Sequence, residues 1–93
     1  MELPILYDDT HYSIRKIARE QYVLEQNGLC HYCETDLKQD PIDMMNKYKI
    51  NKVLFPKSMF FYPVHLHHDR VTGYTIGAVH AYCNAVLWQY FKE

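Results

Sequence analysis

The sequence predicts a small α+β domain in which an N-terminal helix is followed by a β-hairpin and a C-terminal helix, held together by structural zinc. Two observations carry this prediction. A chain of 93 residues with 48% hydrophobic content should fold, yet it is too short to be stabilised by apolar burial alone. Two residue pairs of equal spacing, Cys30-x-x-Cys33 and His80-x-x-Cys83, offer four zinc ligands. We therefore expect one domain over residues 1–93.

The composition narrows the class of protein. A net charge of −1 lacks the basic excess of a dedicated nucleic-acid binder, so any affinity for DNA must come from local clusters. Three cysteines, two of them in a C-x-x-C, favour a metal site in a reducing compartment over a disulfide framework. The first residues show no leader pattern, and no apolar stretch is long enough to cross a membrane. A cytoplasmic protein with no membrane partner is expected.

The first helix is predicted from Ser13 to Asn27. Thr10 or Ser13 is the expected cap, and Asn27-Gly28 supplies a left-handed stop. The apolar residues that recur at near-helical spacing, and so define the expected buried face, are Ile14, Ile17, Ala18 and Leu24. Arg15 and Arg19 lie off that face. A C-x-x-C directly after a helix stop is how a zinc knuckle begins.

The central and C-terminal elements follow from local signals. Asp40-Pro41 predicts the start of a short helix that ends near Ile50, and Pro56 makes residues 51–62 an extended connection with at most a strand fragment. Val64–Asp69 and Tyr74–Val79 are predicted strands of a hairpin that turns at residues 71–73. A last helix is expected from Ala81 to Phe91. Its expected buried face holds Ala85, Trp88 and either Tyr82 or Phe91.

The two cysteine-containing pairs supply one imidazole and three thiolates, which form a closed tetrahedral set for Zn²⁺. Such a site ties the end of the first helix to the start of the last one. Its binding free energy at neutral pH adds directly to the folding free energy. Two simpler interpretations stay open: a lone redox or structural C-x-x-C, and an ordinary hydrogen-bonded His80 beside a buried free Cys83.

A second group of candidate ligands lies in the segment His65-Leu-His-His-Asp69. Strand alternation puts His65 and His67 on one face and His68 on the other, unless the strand is bulged there. One imidazole can then ligate a divalent cation while the other acts as a general base. Asn84, at the start of the last helix, offers an amide oxygen to the same ion. This set suits phosphodiester hydrolysis, although a histidine cluster is more often structural zinc or a surface accident.

The order of these motifs resembles the HNH (ββα-metal) nucleases, and most of all the phage recombination endonuclease VII branch. That branch carries His-Leu-Asp-His-Asp-His in its hairpin and Gly-Leu-Leu-Cys-x-x-Cys-Asn at its final knuckle. The matching stretches here are HLHHDR at residues 65–70 and GAVHAYCN at residues 77–84. The resemblance covers residues 14–86, which is most of the chain.

The resemblance implies a role for each matching residue. His68 is the general base, His67 and Asn84 hold the catalytic divalent ion, and Arg70, in place of a histidine, can clamp the scissile phosphate. The residues implied to bind structural zinc are Cys30, Cys33, His80 and Cys83. His67 stands where the branch has aspartate, which shifts the expected ion from Mg²⁺ toward Mn²⁺, Ni²⁺ or Zn²⁺. The long C-terminal dimerisation region of junction-resolving members has no counterpart in this sequence, so junction specificity is not implied.

The expected function is that of a metal-dependent DNA endonuclease or nickase that reads little sequence. Arg15, Arg19 and Arg70 are the expected DNA contacts, with an affinity that falls as salt rises. The main alternative is a catalytically silent binding module on the same scaffold that modulates a phage or host protein. A third is a purely structural zinc protein. For a phage-encoded chain, the location would be the host cytoplasm.

Overall fold

Three helices and one two-stranded antiparallel sheet make up the fold in the computed structural model, which describes residues 1–93. In chain order the elements are α1 (Tyr12–Glu25), α2 (Ile42–Lys47), β1 (Val64–His68), β2 (Thr75–His80) and α3 (Ala81–Phe91). The predicted α+β class and the order of helix, hairpin and helix are confirmed. None of the helices has the length and apolarity that a membrane crossing requires.

Helix α1 begins one residue earlier than predicted and ends two residues earlier. Its cap is His11 rather than Thr10 or Ser13, because the Ser13 amide donates to the His11 ring over 3.2 Å. The predicted stop is confirmed, since Asn27 and Gly28 both have positive φ, at 56° and 76°. The Gly28 amide donates to the Val23 carbonyl, which closes the last turn.

The predicted apolar face of α1 is wrong. Ala18 is its one buried residue, while the apolar side chains of Ile14, Ile17 and Leu24 are exposed. Two arginines near Ala18 in the sequence, Arg15 and Arg19, are half-buried. They therefore turn toward the hairpin. Long basic side chains can bury their alkyl stems against a polar groove, which a hydrophobic count does not register.

The central connection contains short helical turns instead of a strand fragment. Helix α2 ends at Lys47, three residues before the predicted end, and its cap is Pro41 rather than Asp40. Two 3₁₀ turns follow, at Lys52–Leu54 and Lys57–Phe60. The Asn51 side chain starts the first by accepting from the Val53 amide over 3.1 Å.

The hairpin contains an irregularity at the candidate site. The strands pair His65 with Val79 and His67 with Gly77, but the next pair joins His68 to Thr75. Ile76 is therefore an extra residue on β2, and the predicted regular alternation of β1 breaks between His67 and His68. The predicted strand bounds, Val64–Asp69 and Tyr74–Val79, are each shifted by about one residue.

The N-terminal segment adds a short bridge to the hairpin that the sequence did not predict. Leu6 pairs with Tyr74, and the Tyr7 amide donates to the Gly73 carbonyl over 2.9 Å. The Thr75 amide donates to the Ile5 carbonyl, also over 2.9 Å. The bridge fixes Tyr7 beside the end of β1.

Gln26 joins α1 to β2. Its side-chain oxygen accepts from the Ala78 amide over 2.9 Å, and its amide group donates to the carbonyls of Ala78 and Leu29. A Cβ at Gly77 would lie 2.9 Å from that oxygen and 2.9 Å from His31 Cγ. Only glycine therefore lets β2 approach the end of α1 this closely.

Helix α3 packs over the sheet on a broader surface than expected. Trp88, on the predicted buried face, is exposed, and so is Phe91, which was predicted there only as the alternative to the half-buried Tyr82. The residues that α3 buries are Ala81, Cys83, Ala85, Val86 and Leu87. The core cluster formed below them includes two of the three cysteines, Cys30 and Cys83, so the interior is centred on the knuckle.

Candidate functional site: a zinc knuckle and a histidine cavity

The predicted zinc ligands meet in space. The Sγ atoms of Cys30, Cys33 and Cys83 and a ring nitrogen of His80 all lie within 4.8 Å of one another. Cys30, His80 and Cys83 are buried and Cys33 is partly buried. The knuckle closes through the Glu34 amide, which donates to the Cys30 carbonyl over 3.0 Å, with Glu34 in the left-handed region. The four side chains are close enough to hold one metal ion, as structural zinc requires.

The orientation of His80 supports the same conclusion. Its Nε2 lies 2.8 Å from the Asp36 carbonyl oxygen, which can only accept, so Nε2 carries the proton. Nδ1 then presents its lone pair to the sulfurs of Cys33 and Cys83, at 3.4 and 3.7 Å. A metal-binding histidine commonly donates its other N–H to a backbone carbonyl. His80 is therefore held in the tautomer that binds zinc through Nδ1.

The thiols share protons within this cluster. A hydrogen bond from Cys83 lowers the pKa of Cys30 from 9.0 to about 4, although burial opposes the change. The same contact, together with burial, raises the pKa of Cys83. One thiolate is thus stabilised by its neighbours, and a divalent cation would supply the charge that lets the remaining thiols ionise.

A second site lies at the far end of the hairpin. His67, His68, Arg70 and Asn84 line one cavity of about 430 Å³, and its apolar wall includes Trp88. Both consecutive histidines line this cavity at the point where the pairing of β1 with β2 shifts and leaves Ile76 as an extra residue on β2. The expectation of separate faces therefore does not hold at this point of the strand.

Asn84 is oriented by His65. The Asn84 amide nitrogen lies 3.1 Å from His65 Nδ1. Burial lowers the pKa of His65, and the backbone groups of Met59 and Tyr62 oppose that change, as carbonyl acceptors of a ring N–H do. We therefore assign the proton to Nε2, so that Nδ1 accepts from Asn84. The Asn84 oxygen is then not engaged by His65, and its contact with His67 brings both groups to a place where one cation could bind.

His67 and the Asn84 oxygen have the chemistry to hold a divalent ion together. Burial lowers the pKa of His67 below its ordinary value, and the Asn84 side chain opposes that change. A neutral imidazole and an amide oxygen fit a cation that keeps several other positions for water or phosphate.

The ring of His68 stacks on Tyr7, whose ring also contacts Arg15. The Tyr7 and His68 ring centroids are 4.1 Å apart, and the ring planes are inclined by 16°. The Arg15 guanidinium lies 4.3 Å from the centroid of the Tyr7 ring. Burial lowers the pKa of His68, Arg15 lowers it further, and Asp8 and Asp69 oppose the shift. His68 is therefore a neutral, oriented imidazole near pH 7.

The three arginines occupy different surroundings. Arg15 donates from Nε to the Thr10 carbonyl over 2.8 Å, and this hydrogen bond helps to hold its guanidinium against Tyr7. Arg19 lines a groove beside α1 that also reaches His68. Arg70 lines the histidine cavity, where it donates to the Lys92 carbonyl over 3.2 Å and lies over Trp88. All three lie along the surface that leads to the two histidines.

Comparisons of the chain with protein-family models, curated proteins and solved structures find no match. The functional interpretation therefore rests on the sequence and the site alone.

Three residues of the site were missed in the sequence. Tyr7 lies more than sixty positions before His68, and only the bridge to Tyr74 brings it there. His65 was placed on the His67 face but given no role, although it contacts Asn84. Glu93 lines the cavity from the end of the chain. Alternation on β1 could have pointed to His65, whereas the other two depend on tertiary contacts.

Proposed function

We propose that the protein is a metal-dependent DNA endonuclease or nickase of the HNH kind. The observation that carries the proposal is the cavity that His67, His68 and Asn84 share, with the Asn84 oxygen turned away from His65. An imidazole base, an imidazole ligand and an amide oxygen are the groups that hydrolysis of a phosphodiester needs at one place.

His68 acts as the general base. Its lowered pKa keeps the ring neutral at pH 7, and the Tyr7 stack limits its rotation. The ring accepts a proton from water as the water oxygen attacks phosphorus. The bond to the leaving oxygen then breaks, and the DNA strand is cut.

His67 and Asn84 would hold the divalent ion, with His65 keeping the Asn84 amide in place. A bound ion supplies positive charge to the phosphate oxygens and the leaving oxygen as negative charge develops there. Arg70 keeps guanidinium donors that its single bond to Lys92 does not use, and these can contact the same phosphate.

Cleavage of supercoiled plasmid in the presence of Mg²⁺, Mn²⁺ or Ni²⁺ tests the proposal. We expect the wild type to produce nicked or linear plasmid and His68→Ala to leave it intact. The matched control is His31→Ala, since His31 is exposed and lies outside the cavity. Intact plasmid with every protein, or equal cutting by His68→Ala, would overturn the proposal. Intact plasmid throughout would favour the alternative of a catalytically silent module that binds a phage or host protein.

A further inference from the structure

A groove of about 540 Å³ runs between α1 and the hairpin. We call it the α1 groove. His68 and Asn84 line both this groove and the histidine cavity, so the two spaces meet at the candidate reacting groups. The other polar and aromatic side chains that line the groove are Tyr7, Tyr12, Arg15, Lys16, Arg19, Tyr62 and His65.

The α1 groove is positively charged although the chain as a whole is not. Arg15, Lys16 and Arg19 line it, and no aspartate or glutamate does. The whole chain carries a net charge of −1. The cations are thus concentrated where a phosphate backbone would have to pass to reach His68.

Two aromatic rings in the α1 groove are open to solvent. Tyr12 is 75% exposed, and Tyr62 is exposed as well. Tyr62 stacks on no other aromatic ring. Exposed rings interleaved with cations form a stacking platform for bases beside contacts for phosphates. In an intact duplex the faces of the bases are stacked on one another, so only an unpaired strand can use these rings.

We propose that the α1 groove binds an unpaired DNA strand and leads it across His68 and Asn84. The inference deepens the proposed function, on which it rests for the cutting step, by naming single-stranded or locally opened DNA as the preferred substrate. Binding itself depends on the groove alone. It can therefore be measured without cleavage.

The test compares the affinity for a fluorescein-labelled oligothymidine with that for a blunt duplex of equal length, by anisotropy at fixed salt. The His68→Ala background prevents cutting, and no chelator is added so that zinc stays bound. We expect tighter binding of the single strand. Adding Tyr12→Ala and Tyr62→Ala together should weaken that binding about tenfold or more and leave duplex binding within about twofold.

Phe61→Ala is the matched control. Phe61 is 72% exposed, like its neighbour Tyr62, but it does not line the α1 groove. Equal or tighter binding of the duplex contradicts the inference. Loss of single-strand affinity with Phe61→Ala as large as with the tyrosine pair also contradicts it.

The charged residues provide an independent measurement. Lys16→Gln with Arg19→Gln should reduce the slope of log affinity against log salt for the single strand by about 1.4, since each phosphate contact contributes about 0.7. Lys38→Gln, which removes a lysine outside the α1 groove, should leave the slope unchanged. An unchanged slope in the first variant would overturn the assignment of the groove.

Failure of the inference and failure of the proposed function give different results. A protein that cuts plasmid but binds duplex as well as single strand contradicts the α1 groove inference alone. A protein that prefers the single strand but never cuts plasmid contradicts the nuclease proposal alone.

Discussion

At the scale of single residues, the proposed chemistry depends on keeping imidazoles neutral in a polar cavity. Burial lowers the pKa of His65, His67 and His68 alike. Each then has a lone pair available at neutral pH, for a hydrogen bond, a cation and a proton respectively. The sequence predicted separate roles for His67 and His68 from imidazole chemistry, and these roles are part of the proposed function. The sequence also grouped them in one site, although regular alternation placed them on opposite faces of β1; the structure shows that both line one cavity.

The pH dependence of cleavage follows from His68. The base must be deprotonated, so the rate rises with pH and levels off above the pKa of His68. Because that pKa is lowered, the midpoint of the acid limb should fall below the ordinary histidine value of about 6.5. Single-turnover nicking rates at saturating metal measure the limb. A midpoint above that value would contradict the assignment.

Removing the ring that covers His68 should move this limb. Tyr7→Ala lets water reach the imidazole, which raises its pKa and shifts the midpoint upward, while Tyr7→Phe keeps the stack and the wild-type midpoint. The same rate profiles measure both variants. Equal midpoints for Tyr7→Ala and the wild type would show that the stack does not act on His68.

His65 should influence metal binding without touching the ion. His65→Ala frees the Asn84 amide to rotate, so the metal concentration for half-maximal cleavage should rise about tenfold or more, the usual effect of losing an outer-shell partner. Titration of Mn²⁺ in the plasmid assay measures it, with His31→Ala as the control. An unchanged metal requirement would remove His65 from the site.

At the scale of elements, the sequence predicted which segments fold but not how they face each other. Ile76 becomes an extra residue only because Gly77 pairs with His67 and Thr75 with His68. Such a register depends on two strands at once. The face of α1 was misjudged for a related reason, because Arg15 is half-buried by its contact with Tyr7, a residue of another segment.

The contact between α1 and β2 can be tested at Gly77. Gly77→Ala should cost about 1–3 kcal/mol of unfolding free energy, because its methyl group must displace Gln26 or His31. In a Gln26→Ala background that cost should fall by about 1 kcal/mol, which is a typical coupling between touching residues. Denaturant unfolding at constant zinc measures both.

Gly28→Ala is the control for the Gly77 experiment. Gly28 has a φ of +76° and no atom near its added Cβ, so the cost should be about 1–2 kcal/mol for the left-handed backbone alone. This cost should be the same with and without Gln26. If the cost of Gly77→Ala were also the same with and without Gln26, the close contact between Gly77 and Gln26 would be contradicted.

At the scale of the whole molecule, the Cys₃His cluster lies in a small interior that a bound metal ion would help to stabilise. Only 16 of 93 residues are buried, and Cys30 and Cys83 are among the largest fully buried side chains. The ligand set could be predicted from the sequence because its four residues form two pairs of equal spacing, and a single contact between the pairs completes the site. The N-terminal bridge was not, since its hydrogen bonds use backbone atoms that carry no sequence signature.

Removal of zinc should unfold the chain. We expect about one tightly bound zinc per molecule, and loss of the cooperative thermal transition when a strong chelator is added. His80→Ala should lose both zinc and fold, whereas His80→Cys, which restores a thiolate ligand, should keep both. Metal analysis and circular dichroism measure the outcome. A folded, zinc-free His80→Ala protein would contradict the role of the cluster.

The bridge between Leu6 and Tyr74 affects where the chain can be truncated without changing the candidate site. A boundary drawn at the start of α1 looks safe, because the preceding residues contain no helix and one isolated bridge. Such a trimmed protein would keep the four residues of the Cys₃His cluster as well as His67, His68 and Asn84. It would lack Tyr7, and with it the ring that contacts both Arg15 and His68. Under the nuclease proposal, a boundary at the start of α1 would therefore keep the metal ligands in the chain but remove a ring that contacts the proposed base.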